Sequence, residues 1–237
     1  MSGLLSSRGV RALVEEQVGR WTTDKQGSRV GMQGPWPLIA ISRQFGALGA
    51  AVGTKVAERM GFSFWDREIV TAIAKETGAR EALLDSLDER SRNSIEEVLA
   101  SMLMGEMTTM AEYVRQVVRI VGAVDKHGAG VIVGRGAQYI LEEDRALRVR
   151  AVGPVDPRIE AYAKRQGLSH REAERKVVSM ERDRQKFIRQ HFNRDVTDPS
   201  DYDLAINTST LSVDAAASVV IAAYRGKFGS LPEGVEI

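Results

Sequence analysis

The feature that most constrains this chain is a strand, a glycine-bearing loop and a helix in immediate succession. Leu38-Ile39-Ala40-Ile41-Ser42 is a short, continuous apolar run that reads as a buried strand. Arg43-Gln44-Phe45-Gly46-Ala47-Leu48-Gly49 follows as a loop, and Ala50 to Met60 is helical in pattern, with Gly61 as its stop. In such an arrangement glycines let the backbone approach an anion. The helix adds free N–H groups and the positive end of its dipole. The spacing of Gly46, Gly49 and Gly53 by itself suits a purely structural turn equally well.

Further short apolar runs lie at 62–65, 130–134, 147–152 and 204–207, and helical patterns fill 67–128, 155–166, 169–191 and 212–225. Strands alternating with helices predict an α/β fold, a P-loop-type parallel sheet flanked by helices. Residues 8–24 read as a short amphipathic helix on Val10, Leu13, Val14 and Val18, and Gly27 to Pro37 as a linker. The expected organisation is an N-terminal helix and linker over 1–36, a main domain over 37–228 and a tail over 229–237. Within the main domain, an enlarged helical insert is expected at about 80–128, and an arginine-rich helical stretch lies at about 168–195. In the insert, Ile95, Val98, Leu99, Met102 and Leu103 form one apolar stripe, and Tyr113, Val117, Val118 and Val121 another. These read as a helical subdomain or as the surface of a homodimer.

Composition narrows the partners. The 237 residues are 43% hydrophobic and 27% charged with a net charge of +1, so no global field draws the chain to nucleic acid or membrane. There is no cysteine, which excludes disulfides, thiolate metal sites and cysteine nucleophiles and suits a cytoplasmic location. The N-terminus has no signal-peptide core, and no run of about 18 apolar residues suggests a membrane span. His127, His170 and His191 make no metal spacing and read as surface residues. Ser42 lacks the G-x-S-x-G elbow of a hydrolase nucleophile.

The full P-loop signature is G-x-x-x-x-G-K-[ST]. Aligned on the strand end, it places Arg43 at the first glycine, Leu48 at the second, Gly49 at the lysine and Ala50 at the hydroxyl residue. The lysine that reaches the transferred phosphate and the hydroxyl that holds magnesium are therefore both replaced. Arg43 is the nearest cation, with a bidentate fork that lysine lacks.

Ile39 to Gly46, then Gly49, Gly53, Ala57-Glu58-Arg59-Met60-Gly61 and Phe64-Trp65-Asp66-Arg67-Glu68-Ile69, resemble the opening of the cytidylate kinase-like family. The resemblance continues through Val131-Ile132-Val133-Gly134-Arg135-Gly136, Arg148-Val149-Arg150 and Arg158. It closes on Glu181-Arg182-Asp183-Arg184, Phe187, Asp198-Pro199, Tyr202-Asp203-Leu204 and Ile206-Asn207-Thr208. It implies a nucleoside monophosphate kinase fold and transfer of the ATP γ-phosphate, with Mg2+, to a nucleotide such as CMP. Backbone groups of Gly46, Ala47, Leu48, Gly49, Ala50 and Ala51 would cradle the donor phosphates. Arg43 would partly replace the missing lysine, and Arg158, Arg182, Arg184, Lys186 and Arg189 would neutralise charge as an arginine-bearing lid over about 168–195 closes. Asp66, Arg67, Arg135 and Asp183 would face the acceptor. The chain departs from the family pattern at Gly46-Ala47-Leu48-Gly49, at Ala50, and at Gly134-Arg135-Gly136, where cytidylate kinases read G-R-D.

Each assignment has a structural alternative. Asp66 is equally suited to cap the next helix. Arg175, Arg182, Lys186 and Arg189 fall near one helical face, which either closes over a polyphosphate or is solvated and paired with Glu172, Glu174, Glu181 and Asp183. The alternatives to a kinase are a nucleotide-binding regulatory protein with a degenerate loop and a structural dimerisation protein.

Overall fold

The structure, a computed structural model, describes residues 7–24, 35–102 and 109–237. The strands are β1 (Leu38–Arg43), β2 (Ser63–Trp65), β3 (Gly130–Val133), β4 (Ala146–Val152) and β5 (Leu204–Asn207). They form one parallel sheet in the order β2-β3-β1-β4-β5. The helices are α1 (Ser7–Asp24), α2 (Gly49–Met60), α3 (Arg67–Lys75), α4 (Thr77–Asp85), α5 (Glu89–Met102), α6 (Thr109–His127), α7 (Ala137–Ile140), α8 (Val155–Gln166), α9 (His170–Phe192) and α10 (Val213–Phe228). None of the described helices is long and apolar enough to cross a membrane.

Period-two alternation along the central strands divides the core into two layers. Leu38 and Ala40 of β1, Ile132 of β3 and Trp65 of β2 face α1 and α3–α7. Ile39 and Ile41, Val131 and Val133, and Leu147, Val149 and Ala151 face α2 and α10. Burial on both faces is what makes β1 and β3 read as continuous apolar runs, whereas β4 alternates apolar residues with Arg148 and Arg150. Each fully buried Leu or Ile contributes about 2 kcal/mol.

The helical block over 67–127 is part of the first layer. Ile95, Leu99, Val114, Val117, Val118 and Val121 are buried there, with Val98 and Tyr113 packed beside them. The described residues of both apolar stripes are thus accounted for within one chain. Leu103 and most of the linker stretch from Gly27 lie outside the described residues. Helix α1 also enters this layer through Val10 and Val14 and packs against α4 and α3, so it is a working part of the main core. His127, expected at the surface, is buried instead, and its Nε2 lies 2.7 Å from Ser86 Oγ.

Helices α8 and α9 form a hairpin whose small core is Ile159, Ala173 and Val177, with Phe45 and Tyr162 against it. Its turn is locally encoded. Gly167 ends α8 in the left-handed region (φ 64°), and Ser169 with Glu172 makes a reciprocal capping box at the start of α9.

Candidate functional site

The carboxyl ends of parallel strands face the ligand crevice in open α/β sheets. Here the ends of β1, β3 and β4 and the inner face of α9 enclose a cavity of about 220 Å³. Its lining includes five arginines (Arg43, Arg67, Arg135, Arg150 and Arg184) and two carboxylates, Glu181 and Asp183.

The loop after β1 is held from several sides. Gln44 Oε1 accepts from Gly153 N–H (2.9 Å), Thr208 Oγ1 donates to the Ala47 carbonyl (2.9 Å), and Arg184 Nη1 donates to the Arg43 carbonyl (3.1 Å). Arg158 clamps the loop to α8. Its Nη1 donates to the Phe45 carbonyl (2.8 Å) and its Nε to the Gly153 carbonyl (2.9 Å). Glu181 Oε2 accepts the Phe45 N–H at 2.7 Å, so a carboxylate from α9 rests on the loop. The same Glu181 lies 3.8 Å from both Arg150 and Arg158.

Arg135 is held by Thr71 Oγ1 (2.7 Å) and sandwiched against the rings of Tyr113 and Phe187, which fixes its direction. It lies between Gly134 and Gly136, and all three residues have positive φ (86°, 58° and 73°). Glycine is required at 136 on two counts. The backbone is left-handed, and a Cβ would meet the Phe192 ring of α9. The replacement of a G-R-D reading by Gly134-Arg135-Gly136 therefore makes room for the end of α9.

The charges feel one another. Burial, then Arg184, Arg67 and Arg135, push the Arg43 guanidinium down to about 9, against the pull of Asp66. Burial pushes Arg184 down to about 10, against the pull of Glu181. Burial also lowers Arg135. All remain protonated at neutral pH, so the cavity concentrates positive charge.

The structure brings together Arg43, Arg67, Arg135, Asp183 and Arg184 of the residues expected from sequence. Gly46, Ala47, Leu48, Gly49, Ala50 and Ala51 form the loop and first turn beside them, with Gly46 and Leu48 left-handed (φ 87° and 49°). Others are placed elsewhere. Asp66 Oδ1 caps α3 by accepting the Ile69 N–H (2.8 Å), and its charge still acts on Arg43. Arg158 supports the loop from behind. Arg182, Lys186 and Arg189 line a separate groove with Arg194, on the outer face of α9. At 100° per residue they lie roughly opposite Arg184, so the basic face picked out by spacing points away from the cavity.

Sequence reasoning passed over Arg150 and Glu181 as site residues. Arg150 is buried, donates to Ser42 Oγ (2.7 Å) and lies over the Tyr202 ring. The available signal was a charged residue inside the buried run Leu147–Val152. Glu181 carried no such signal, because charges interleaved on a helix are ordinary.

A model of the cytidylate kinase-like family matches residues 38–210. Among curated relatives, a cytidylate kinase of Pyrococcus horikoshii is 36% identical over 98 residues, covering 41% of this chain and 50% of that protein. One of Methanopyrus kandleri is 35% identical over 77 residues, covering 32% and 40%. The matched stretches thus span half or less of these relatives' length. Among solved structures, an uncharacterized protein from Eubacterium ventriosum shares the fold, with a TM-score of 0.62 at 23% identity over 80% of this chain and 98% of that one. The family match runs from β1 to just past β5 and takes in every strand of the sheet and every arginine of the cavity, so the chain belongs to the cytidylate kinase-like family.

Proposed function

We propose that this chain is a nucleoside monophosphate kinase of the cytidylate-like kind, passing the ATP γ-phosphate to a nucleotide or a related small phosphorylated acceptor. The observation that carries this reading is the convergence of Arg43, Arg67, Arg135, Arg150 and Arg184 on one cavity against two carboxylates. Unpaired buried charge is costly, and a phosphate offsets that cost with charge-assisted, bidentate hydrogen bonds. Phosphoryl transfer asks a protein mainly for positioning and for positive charge around the moving group. Arg135, braced by Thr71, Tyr113 and Phe187, orients the acceptor. Arg184 enters from α9, so its placement depends on the lid. On the donor side, the N–H groups between Gly46 and Ala51 and the dipole of α2 receive the polyphosphate.

Magnesium fits this chain less well. Ala50 stands where a P-loop supplies its hydroxyl. Gly49 and Ala50 also favour a second reading, a nucleotide-binding regulatory protein with weakened turnover.

Thermal stability measured with CMP, dCMP, UMP, AMP and ATP, with and without magnesium, tests both readings, because a ligand that binds the folded state raises Tm. A rise with ATP and with one monophosphate, together with ADP production from that pair, is the expected result. A rise without ADP production from any acceptor selects the regulatory reading, and no rise with any nucleotide refutes both.

A further inference from the structure

Glycine at position 49 has no backbone reason. It opens α2, where a P-loop carries its lysine, and its φ lies outside the left-handed region. The reason is steric. A Cβ at 49 would lie 2.7 Å from Arg43 Cβ, 3.2 Å from Arg43 Cγ and 3.1 Å from Ala151 Cβ. The stem of Arg43 therefore fills the space that a side chain at 49 needs. Its guanidinium travels the other way, onto the end of β3. A Cβ at Gly134 would lie 2.9 Å from Arg43 Cζ, so the arginine passes flat against that glycine. There it lines the arginine cavity, and among the described residues no hydrogen bond or ion pair holds its head group.

We propose that Arg43 and Gly49 are a coupled pair that moves the loop's cation from the first turn of α2 to the end of β1, so that Arg43 grips a phosphate of the acceptor and not one of the donor. The ligand half of this proposal rests on the kinase reading above. The steric half does not. The consequence is a divided site. The donor loop binds through backbone groups alone, and the cation that a P-loop spends on the donor is spent here on selecting an anionic acceptor. Gly134 belongs to the same exchange, since any side chain there would displace the guanidinium.

The test combines a stability cycle with two binding titrations. Gly49→Ala is expected to lower Tm in the parent and in Arg43→Met, which keeps the stem, but to have little effect in Arg43→Gly, which removes it. Equal losses in all three backgrounds overturn the coupling. In calorimetry, Arg43→Met is expected to weaken CMP binding by about tenfold or more, as for loss of a charge-assisted hydrogen bond, while ATP affinity changes by less than about twofold. ATP weakened as much as CMP, or more, overturns the assignment to the acceptor. A parent that binds neither ligand refutes the kinase reading and with it the acceptor half, and the stability cycle still decides the steric half.

Discussion

Replacing Glu181 by Gln separates what this residue of α9 contributes to stability from what it contributes to binding. The amide oxygen can still accept the Phe45 N–H, which the carboxylate accepts at 2.7 Å. What disappears is the charge 3.8 Å from Arg150 and 3.8 Å from Arg158. At an effective dielectric of about 20, each such pair is worth about 4 kcal/mol before desolvation is set against it. Partly enclosed pairs keep only a fraction of that, so the net loss should be about 2 kcal/mol. For a chain of this size that lowers Tm by about 4–8 °C. Binding should move the other way. A like charge across a cavity of this size repels an anion by about 1 kcal/mol, so removing it should tighten CMP by about fivefold. Scanning calorimetry gives the first quantity and isothermal titration the second. A variant as stable as the parent, or one that binds CMP more weakly, refutes the reasoning, because both effects follow from one charge placed among arginines.

Arg43→Met should raise the Tm of the unliganded protein by at least about 2 °C at pH 7.5. The folded state holds the guanidinium near 9, so the cost of its charge is present below that pH and eases as pH rises through it; an unchanged or lower Tm counts against a net cost for this buried charge. Gly136→Ala should cost about 2 kcal/mol or more by denaturant titration, from the positive φ and the Phe192 ring, and part should return when Phe192→Leu is added; a cost unaltered by the second change would assign it all to the backbone. Burial lowers His191 below 6.5, so the unfolded chain takes up the proton first and stability is lost as pH falls from 6.5 through the folded value. His191→Gln should flatten that limb of the stability–pH curve, and an unchanged limb refutes the assignment. Tyr224→Phe removes a buried hydrogen bond to the Pro37 carbonyl (2.8 Å) and should cost about 1 kcal/mol in the same titration, a neutral change refuting it.

What the sequence determined by itself was the fold and the end of the sheet at which the candidate cavity lies. Doubly buried parallel strands must be apolar along their length, and Leu38–Ile41 and Val131–Val133 announce themselves for that reason, while Leu147, Val149 and Ala151 show as an alternating apolar face. Helix ends need particular residues, which is why Gly61, Gly167 and Ser169 mark α2, α8 and α9. Loops at the carboxyl ends of such strands carry ligands, so Arg43, Arg67 and Arg135 could be picked out from position alone. Direction was another matter. Spacing put Arg182, Lys186 and Arg189 on one face of α9, but only packing against the loop decided that this face points outward while Glu181 and Arg184 point in. A helix period relates residues of one helix to each other and says nothing about which side meets a neighbour when both sides are charged. The same holds for Asp66, a cap, and for Gly49, small because another side chain occupies its space. Contacts between residues distant in the chain set these roles, and local pattern carries no record of them.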